Sequence, residues 1–460
     1  MSMLDTSATP ASTASPAVLD HLETLDAGSP KVTDPALVPI RAKVLAGERL
    51  SLDDGDALYR TPDIWGLCAL ADVIRRRLHG DAAFFNINRH FNYSNVCALS
   101  CKFCEFYRKK GQPGEYTRDA EYAADEARKA IANGATEIHI VGGLQPYLPW
   151  DYYPEMMRTI RGIAQEAGVP LHIKAFTAVE VVHLAKIAKR YKKNDRQAGI
   201  RSVLAELKES GLGSLPGGGA EVFDDRVHDE AYKGKIRSDE WLDVHLVAHE
   251  LGLNSNATIL YGHIDQRRER LVHMEILRRA QDQALARLGY DGEADAPIEP
   301  DLAATKDITA PAITLTRTGT PLPTPSMAEK EAGYFQTIIP LPFFPDGSEL
   351  EHLPGPSGIE NLRTLAVARL MLDNFPHVKA FWIMQTLPMS QLMLEAGADD
   401  IDGTVVWYDI TKVGGSSTHQ EVTTHDLQRA IKEAGFDPVE RDTLYRRVLR
   451  EGKSWSVVES

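Results

Sequence analysis

The segment FFNINRHFNYSNVCALSCKFC, residues 84–104, joins a strand pattern directly to a group of cysteines. In its first half, apolar Phe85 and Ile87 alternate with polar Asn88 and His90. This period of two predicts a β-strand that buries one face and turns the other toward a polar space. Its second half places three cysteines within eight positions. The segment therefore predicts a strand followed by a metal-binding loop.

Cys97, Cys101 and Cys104 are separated by gaps of three and two residues, and the only other cysteine is Cys68. A loop with this spacing can bind three irons of a [4Fe-4S] cluster and leaves the fourth iron without a protein ligand. A sulfonium compound can chelate that iron, and electron transfer can then cleave its C–S bond. The alternatives are a zinc site completed by His90, although zinc sites usually have two spaced pairs, and a redox cysteine pair. Cys68 lies in an apolar helical run, where we expect a small buried side chain.

Short β-type runs alternate with longer amphipathic stretches along the chain. This alternation is typical of a parallel α/β sheet, and eight strands predict a closed TIM-type (β/α)8 barrel. Glycine follows two of the predicted helices, Asp119–Asn133 and Tyr152–Ala167, as C-capping favours. The predicted strands are Phe84–Asn88, Glu137–Gly142, Leu171–Thr177, Ser214–Gly217, Ser255–Tyr261, Phe335–Leu341, Val378–Met384 and Thr404–Trp407.

Several predicted strands carry polar residues on the face that a barrel turns inward. Glu137 and His139 share one face of the second strand, and His172 and Lys174 share one face of the third. Barrel interiors are usually filled by Val, Ile and Leu. The polar rows therefore predict a charged, polar ligand inside the barrel, with a self-satisfied polar network as the alternative.

The composition excludes several functional classes. The chain has 460 residues and a formal net charge of −14. An acidic balance suits a soluble enzyme and argues against nucleic-acid binding, which needs a basic face. A membrane span needs about 18 consecutive apolar residues, and the sequence has no such run. The first residues lack a secretion-signal pattern, so we expect a cytoplasmic protein.

We expect four parts along the chain. Within the barrel, the Pro- and Thr-rich residues 291–331 have no periodicity and predict a surface insertion. Near the C-terminus, Thr424–Gly435 and Thr443–Glu451 are predicted to be helical. The parts are a disordered leader at 1–32, a helical extension at 33–80, the barrel at 81–410 and a helical tail at 411–460.

The cysteine spacing and its place after the first strand resemble the radical S-adenosylmethionine (SAM) superfamily. There an aromatic residue, here Phe103, precedes the third cysteine and lies near the adenine. A Gly-rich strand end contacts the SAM amino group, and Gly142 and Gly143 are similar to it. Longer segments resemble the aminofutalosine synthase family, whose relatives are cyclic dehypoxanthine futalosine synthase and deazaflavin (FO) synthase. These segments are residues 88–97, 137–143, 172–180, 214–223 and 256–263.

The resemblance implies a reaction of menaquinone biosynthesis in which SAM is a cosubstrate. The 5′-deoxyadenosyl radical adds to the enol-ether double bond of 3-[(1-carboxyvinyl)oxy]benzoate, the aryl group migrates, and the carboxyl carbon leaves as bicarbonate. The product is 6-amino-6-deoxyfutalosine. A hydrogen-abstracting enzyme of the cyclic dehypoxanthine futalosine synthase type is the alternative, and a non-catalytic iron–sulfur protein is a more distant one. The resemblance also implies a low-potential electron donor such as flavodoxin or ferredoxin.

The same segments suggest individual ligands. Glu221 is expected to bind the SAM ribose hydroxyls, with a carboxylate at a helix N-terminus as the alternative. A substrate with two carboxylates needs cationic and amide donors, and we select Asn88, His172, Lys174, Tyr261 and His263.

Two positions near the cysteines depart from the family pattern. Glu105 follows the third cysteine where relatives have a small residue, and Gln145 stands where the family often has His or Asn. A carboxylate beside a cluster lowers its reduction potential unless the side chain turns to solvent. These departures concern substrate detail more than the reaction type.

Overall fold

The computed structural model describes residues 29–290, 332–405 and 421–458. Most of the predicted leader and all of the predicted insertion lie outside these ranges. The helices are α1 (Leu37–Ala46), α2 (Leu52–Arg60), α3 (Ile64–His79), α4 (Ala120–Ala132), α5 (Tyr152–Glu166), α6 (Ala178–Ile187), α7 (Arg196–Ser210), α8 (Asp225–Ala231), α9 (Ser238–Glu250), α10 (Arg267–Arg287), α11 (Gly358–Met371), α12 (Trp382–Gln385), α13 (Leu387–Leu394) and α14 (Thr424–Glu433). The strands are β1 (Ala82–Asn86), β2 (Asn88–Phe91), β3 (Glu137–Ile140), β4 (His172–Ala175), β5 (Ser214–Leu215), β6 (Asn254–Tyr261), β7 (Phe335–Pro342), β8 (His377–Val378), β9 (Asp400–Gly403), β10 (Asp437–Glu440), β11 (Val448–Glu451) and β12 (Ser454–Val457).

The central sheet follows the order of the sequence. Strands β2 to β8 lie side by side, and each neighbouring pair is parallel. A bridge between Lys379 and Asp400 continues the ladder to β9, which pairs in parallel with β1. Only Ile87 separates β1 from β2, so the ladder returns to the strand where it began. The predicted TIM-type α/β barrel is confirmed.

The last two predicted strands were placed wrongly. The strand predicted at Val378–Met384 ends at Val378, and Trp382–Gln385 form helix α12. Periodicity alone cannot distinguish a short apolar run in a strand from one in a helix. The eighth strand is Asp400–Gly403, before the predicted Thr404–Trp407, of which residues 406–407 lie outside the described ranges. Aspartate is depleted in strands, and the acidic run therefore concealed this one.

The tail was predicted to be helical, but the structure shows that it also contains strands. Helix α14 lies within it, but Thr443–Glu451 contain turns and strand β11 instead of a helix. Strands β11 and β12 form an antiparallel hairpin whose turn contains Gly452 with φ +63°, a conformation that favours glycine. Strand β10 pairs in parallel with β1. The tail thus extends the small sheet of β9 and β1 beside the barrel.

The N-terminal helices α2 and α3 pack against the outside of the barrel, and α1 packs against both of them. Helix α3 contacts α11, and α2 contacts α10 and α11. The approach is close, because a Cβ atom added to Gly55 would lie 2.6 Å from the side chain of Leu271. In the described ranges, no helix combines the length and the apolar composition needed to cross a bilayer.

Candidate active site

A cavity of about 330 Å³ lies at the carboxyl ends of the barrel strands. Barrel enzymes build their sites at this edge because the loops after the strands meet there. The cysteine loop after β2 forms one side, and lumen side chains form the floor. The residues predicted from the sequence that line the cavity are Cys97, Cys101, Phe103, Cys104, Gly142, Gly143, Lys174 and Glu221.

The cysteine loop is fixed by several hydrogen bonds. The Nζ of Lys109 donates to the carbonyl oxygens of Cys97 (3.0 Å) and Leu99 (2.7 Å). The N–H of Lys102 donates to the carbonyl of Ala231 at 2.9 Å, which joins the loop to the end of α8. These contacts hold the loop over the cavity.

The donor set fits an iron–sulfur cluster. The three cysteines are free thiols that line one cavity. Burial raises the pKa of the Cys101 thiol to about 12 and also raises the pKa of the Cys104 thiol. A cation bound to these sulfurs would offset the effect of burial and favour the thiolates. The N–H groups of Leu99 and Leu144 each approach the Sγ of Cys97 at 3.4 Å, a contact that stabilises a thiolate.

The two glycines after β3 allow the backbone to approach the cysteine loop. The N–H of Gly143 donates to the carbonyl of Ser94 at 2.7 Å. A Cβ atom on Gly143 would overlap the carbonyl of Val96, and one on Gly142 would lie 2.7 Å from the ring of Tyr93. Larger residues at either position would displace the loop.

Glu180 anchors the same strand end from α6. Its Oε1 accepts hydrogen bonds from the hydroxyl of Tyr93 (2.9 Å) and the N–H of Gly142 (3.0 Å). Its Oε2 accepts from the N–H and the hydroxyl of Thr177, which caps α6. Burial outweighs these donors and raises the pKa of Glu180 to about 7. Glu180 was not predicted from the sequence, although Thr177 and Glu180 have the spacing of a capping box.

Glu221 lines the cavity as part of an ion pair. Its backbone is left-handed, with φ +47°, an uncommon conformation for a residue other than glycine. Its carboxylate pairs with the Nζ of Lys235, which was not predicted from the sequence. The Nζ of Lys235 lies 5.3 Å from the ring centre of Phe103. These three side chains form one cluster on the wall beside the cysteine loop.

Two layers of polar side chains cross the barrel beneath the cysteine loop. His90, His139 and Lys174 lie at the same level of neighbouring strands, and all three line the cavity. Burial lowers the pKa of His90 to about 4 and that of His139 well below its usual value. Both imidazoles are therefore neutral near pH 7. Lys379 and Asp402 continue this upper layer, and their side chains pair at 3.1 Å.

Two of the predicted ligands, Asn88 and His172, lie in the lower layer. Asn88, Glu137 and His172 lie at one level, two residues further from the carboxyl ends of the strands, and none lines the cavity. The carboxamide of Asn88 donates to the carboxylate of Asp402 at 3.4 Å, and the Nε2 of His172 lies 2.8 Å from the hydroxyl of Ser214. Asn88 and His172 therefore lie beneath the cavity and form hydrogen bonds within its floor.

Tyr261 and His263 also lie outside the cavity lining. The Tyr261 hydroxyl donates to Asn361 at 2.9 Å, and burial raises the pKa of Tyr261. The Nε2 of His263 lies 3.1 Å from the carbonyl of Leu260, and its ring stacks on Phe103 with the ring centres 6.4 Å apart. Direct substrate contact by either side chain is not supported by this geometry.

The two departures from the family pattern have local partners. Glu105 lines the cavity, and its carboxylate pairs with Arg108 at 3.2 Å. Gln145 is buried and donates to the hydroxyl of Thr117 at 2.8 Å. The charge of Glu105 near the cysteines is thus partly offset by Arg108.

Comparisons with known proteins agree with this geometry. The family model described as the Radical SAM superfamily matches residues 91–275, and the CofH/MqnC C-terminal region matches residues 332–451. Methylornithine synthase has a TM-score of 0.58 at 16% identity, over 86% of this chain and 96% of that chain. The hydrogenase maturase HydG from Carboxydothermus hydrogenoformans has a TM-score of 0.59 at 14% identity, over 89% of this chain and 80% of that chain. These two likenesses support the fold alone.

Proteins related in sequence share a higher identity with this chain than these two structures do. An aminodeoxyfutalosine synthase from Thermus thermophilus is 37% identical over 93% of this chain and 99% of its own length. One from Streptomyces coelicolor is 37% identical over 90% of this chain and 94% of its own length. An FO synthase from Mycobacterium tuberculosis is 31% identical over 87% of this chain but 40% of its own length.

The barrel, the cysteine loop and the matched domain define a radical SAM enzyme. Within that superfamily, the chain belongs to the family of the aminodeoxyfutalosine synthases, called aminofutalosine synthases above.

Proposed function

We propose that the chain is an aminofutalosine synthase of menaquinone biosynthesis. It would join the 5′-deoxyadenosyl group of SAM to 3-[(1-carboxyvinyl)oxy]benzoate, giving 6-amino-6-deoxyfutalosine and bicarbonate. The observation that carries this proposal is the single cavity in which three cysteines share a space with two buried lysines. Such a cavity suits a radical source above an anionic substrate. The identity of 37% to two synthases over at least 90% of the chain supports the same reaction.

We assign the upper part of the cavity to the iron–sulfur cluster and SAM. Cys97, Cys101 and Cys104 hold a [4Fe-4S] cluster. When bound, the reduced cluster would supply the electron that cleaves SAM to the 5′-deoxyadenosyl radical. Phe103 and Glu221 contact the adenine and the ribose. Gly142 and Gly143 line the cavity, and the resemblance to the superfamily assigns them to the amino group of SAM.

We assign the lower part of the cavity to the substrate. Lys174 is 6% exposed and faces the cavity, so its ammonium can donate to a carboxylate of the substrate in a site with little water. Leu341, Phe343 and Phe381 line the opposite wall and can cover an aromatic ring. Enclosure by these side chains excludes water, which protects a reactive radical.

The reaction needs a partner that delivers an electron. We infer a low-potential carrier such as flavodoxin or ferredoxin. We place the reaction in the cytoplasm, where thiols and reduced carriers are maintained. We expect no nucleic-acid partner, because a formal net charge of −14 does not favour binding to phosphates.

Substrate choice tests the proposal. The cluster-loaded, reduced enzyme is offered SAM with 3-[(1-carboxyvinyl)oxy]benzoate, with dehypoxanthine futalosine, or with tyrosine and 5-amino-6-(D-ribitylamino)uracil. We expect consumption of the benzoate alone. The match to the CofH/MqnC C-terminal region makes the other two the informative competitors. Preferential consumption of either competitor would overturn the proposal, and no SAM cleavage with any of them would indicate a binding protein.

A further inference from the structure

Lys379 is a second buried cation on the floor of the cavity. It is 2% exposed, follows directly after β8, and lines the cavity together with Lys174. Sequence analysis did not select it. A lysine is rarely buried without a partner, so its place on the cavity wall calls for an explanation.

Each of the two lysines has its own carboxylate. Lys174 pairs with Glu137 at 2.6 Å, and Lys379 pairs with Asp402 at 3.1 Å. These partners stabilise the ammonium charge at a buried site. An ammonium group has three N–H donors. Within the described residues, Lys379 donates one of them to Asp402, and Lys174 forms an ion pair with Glu137. The remaining donors are available to a ligand in the cavity.

The surroundings of the two lysines differ. Pairing of Ile338 with Val378 sets Ile339 beside Lys379, and Phe381 follows two residues later. Ile339 and Phe381 both line the cavity. Lys174 instead lies level with His139 and Ser214 on the neighbouring strands. Lys379 therefore has apolar neighbours on its β7 side and Asp402 on its β9 side, whereas the strand neighbours of Lys174 on both sides are polar.

We propose that Lys379 and Lys174 form a two-point anchor that selects ligands with two carboxylates joined through an aromatic ring. Lys379 binds the carboxylate on the ring, because Ile339 and Phe381 beside it can pack on the aromatic face. Lys174 binds the carboxylate next to the reacting double bond. Its strand β4 adjoins β3, after which Gly142 and Gly143 follow near the cysteine loop. This assignment rests on the proposed function, which supplies the dicarboxylate.

The backbone conformation and the neighbours of Asp402 hold this residue beside Lys379. Asp402 has a left-handed backbone with φ +72°, which is strained for a residue other than glycine. Its carboxylate also accepts a hydrogen bond from Asn88 at 3.4 Å. Arg441 from the tail pairs with the neighbouring Asp400 at 2.6 Å. These contacts keep Asp402 beside Lys379 and fix the direction of the ammonium group.

Binding to the unreduced enzyme tests the anchor without turnover. The cluster-loaded full-length protein with SAM is titrated calorimetrically with three unreactive ligands. One is the saturated ether 3-(1-carboxyethoxy)benzoate, which keeps both carboxylates. The second, 3-ethoxybenzoate, keeps only the ring carboxylate, and the third, 2-phenoxypropanoate, keeps only the side-chain carboxylate. The variants are Lys379→Met and Lys174→Met, and the control is Lys432→Met, an exposed lysine on α14.

The anchor predicts a crossed pattern. Loss of one charge-assisted contact weakens binding by about tenfold or more. Lys379→Met should weaken the diacid and 3-ethoxybenzoate but leave 2-phenoxypropanoate within about twofold, the scatter allowed for an unchanged contact. Lys174→Met should weaken the diacid and 2-phenoxypropanoate and spare 3-ethoxybenzoate. Lys432→Met should match the wild-type protein for all three.

Other outcomes separate the anchor from the proposed function. If the wild-type protein binds the diacid but the two lysine variants lose affinity equally for all ligands, or lose none, the anchor is wrong and the function stands. If the wild-type protein binds none of the ligands, the proposed substrate class is wrong as well. Should Lys379→Met lose iron or melt early, the double variant Lys379→Met with Asp402→Asn keeps the charge balance and carries the same test.

Discussion

His139 on β3 lies at the same level as Lys174 on β4, and both side chains line the cavity. Two residues earlier, Glu137 and His172 are paired in the same way but lie below the cavity. Alternate residues of a strand face the same side, so the lumen contains successive polar layers. Only the upper layer can touch a ligand, and the layer to which a residue belongs decides its role.

The two layers predict different effects of removing their side chains. Lys174→Ala should retain the cluster and SAM cleavage while raising the KM for the benzoate substrate by about tenfold or more, because one charge-assisted hydrogen bond is lost. His172→Ala should leave this KM within about twofold, since His172 contacts Ser214 below the cavity. Steady-state kinetics with iron analysis check both. Loss of the cluster in Lys174→Ala would make Lys174 structural instead.

The lysine that ties the cysteine loop should determine how firmly the cluster is held. Lys109→Met removes two hydrogen bonds to the carbonyls of Cys97 and Leu99. Each charge-assisted bond contributes roughly 1.5–3 kcal/mol, so we expect cluster loss to a chelator to accelerate about tenfold or more. The control is Lys110→Met, whose Nζ lies over the ring of Tyr147, 4.3 Å from its centre. Equal iron release by the two variants would contradict a role for Lys109 in the loop.

The glycines after β3 should tolerate no side chain. A Cβ atom on Gly143 would overlap Val96, so Gly143→Ala should displace the cysteine loop and sharply lower iron incorporation on reconstitution. Gly162→Ala is the matched control, because nothing lies within 4 Å of a Cβ atom at this position in α5. It should bind iron normally and gain roughly 0.5–1 kcal/mol in stability. Normal iron content in Gly143→Ala would show that the loop can move aside.

Glu180 should make the stability of the enzyme depend on pH. Burial raises its pKa from 4.5 to about 7, so the folded chain holds this proton more tightly than the unfolded chain. The stabilisation is fully present below the unfolded pKa and is lost as pH rises through about 7, by at most ~3 kcal/mol. Between about pH 5.5 and 8, the apparent Tm of Glu180→Gln should therefore fall less than that of the wild-type protein.

An exposed glutamate provides the comparison for this pH effect. Glu209→Gln on α7 should follow the wild-type pH profile, because its side chain lies at the surface. Parallel profiles for Glu180→Gln and the wild-type protein would mean that Glu180 does not titrate in this range.

The parts of the structure that were predicted from the sequence are those that local sequence patterns define. The cysteine spacing and the alternation in residues 84–90 predicted the first strand and its loop, and the repeated strand–helix order predicted the barrel. The inward-facing rows on β3 and β4 were also visible as alternation. Alternation gives the face of a strand but not the depth along the barrel, which is why Asn88 and His172 were selected together with Lys174.

The residues that were missed depend on contacts between distant segments. Lys379 follows β8 and pairs with Asp402 on β9. Lys235 pairs with Glu221, and helix α8 lies between these two residues in the sequence. Neither pair has a fixed spacing in the sequence. An alternation did exist at His377 and Lys379, but the apolar run after it favoured a longer strand and concealed the lumen-facing lysine.

The fate of the adenosyl carbon tests the central claim most directly. The reduced, cluster-loaded enzyme is given SAM labelled with carbon-13 at the 5′ position together with 3-[(1-carboxyvinyl)oxy]benzoate, and the products are measured by mass spectrometry. We expect the label to appear in 6-amino-6-deoxyfutalosine in proportion to the methionine released. Free labelled 5′-deoxyadenosine in that proportion, with no label in an aryl product, would show that the radical abstracts hydrogen and would contradict the account.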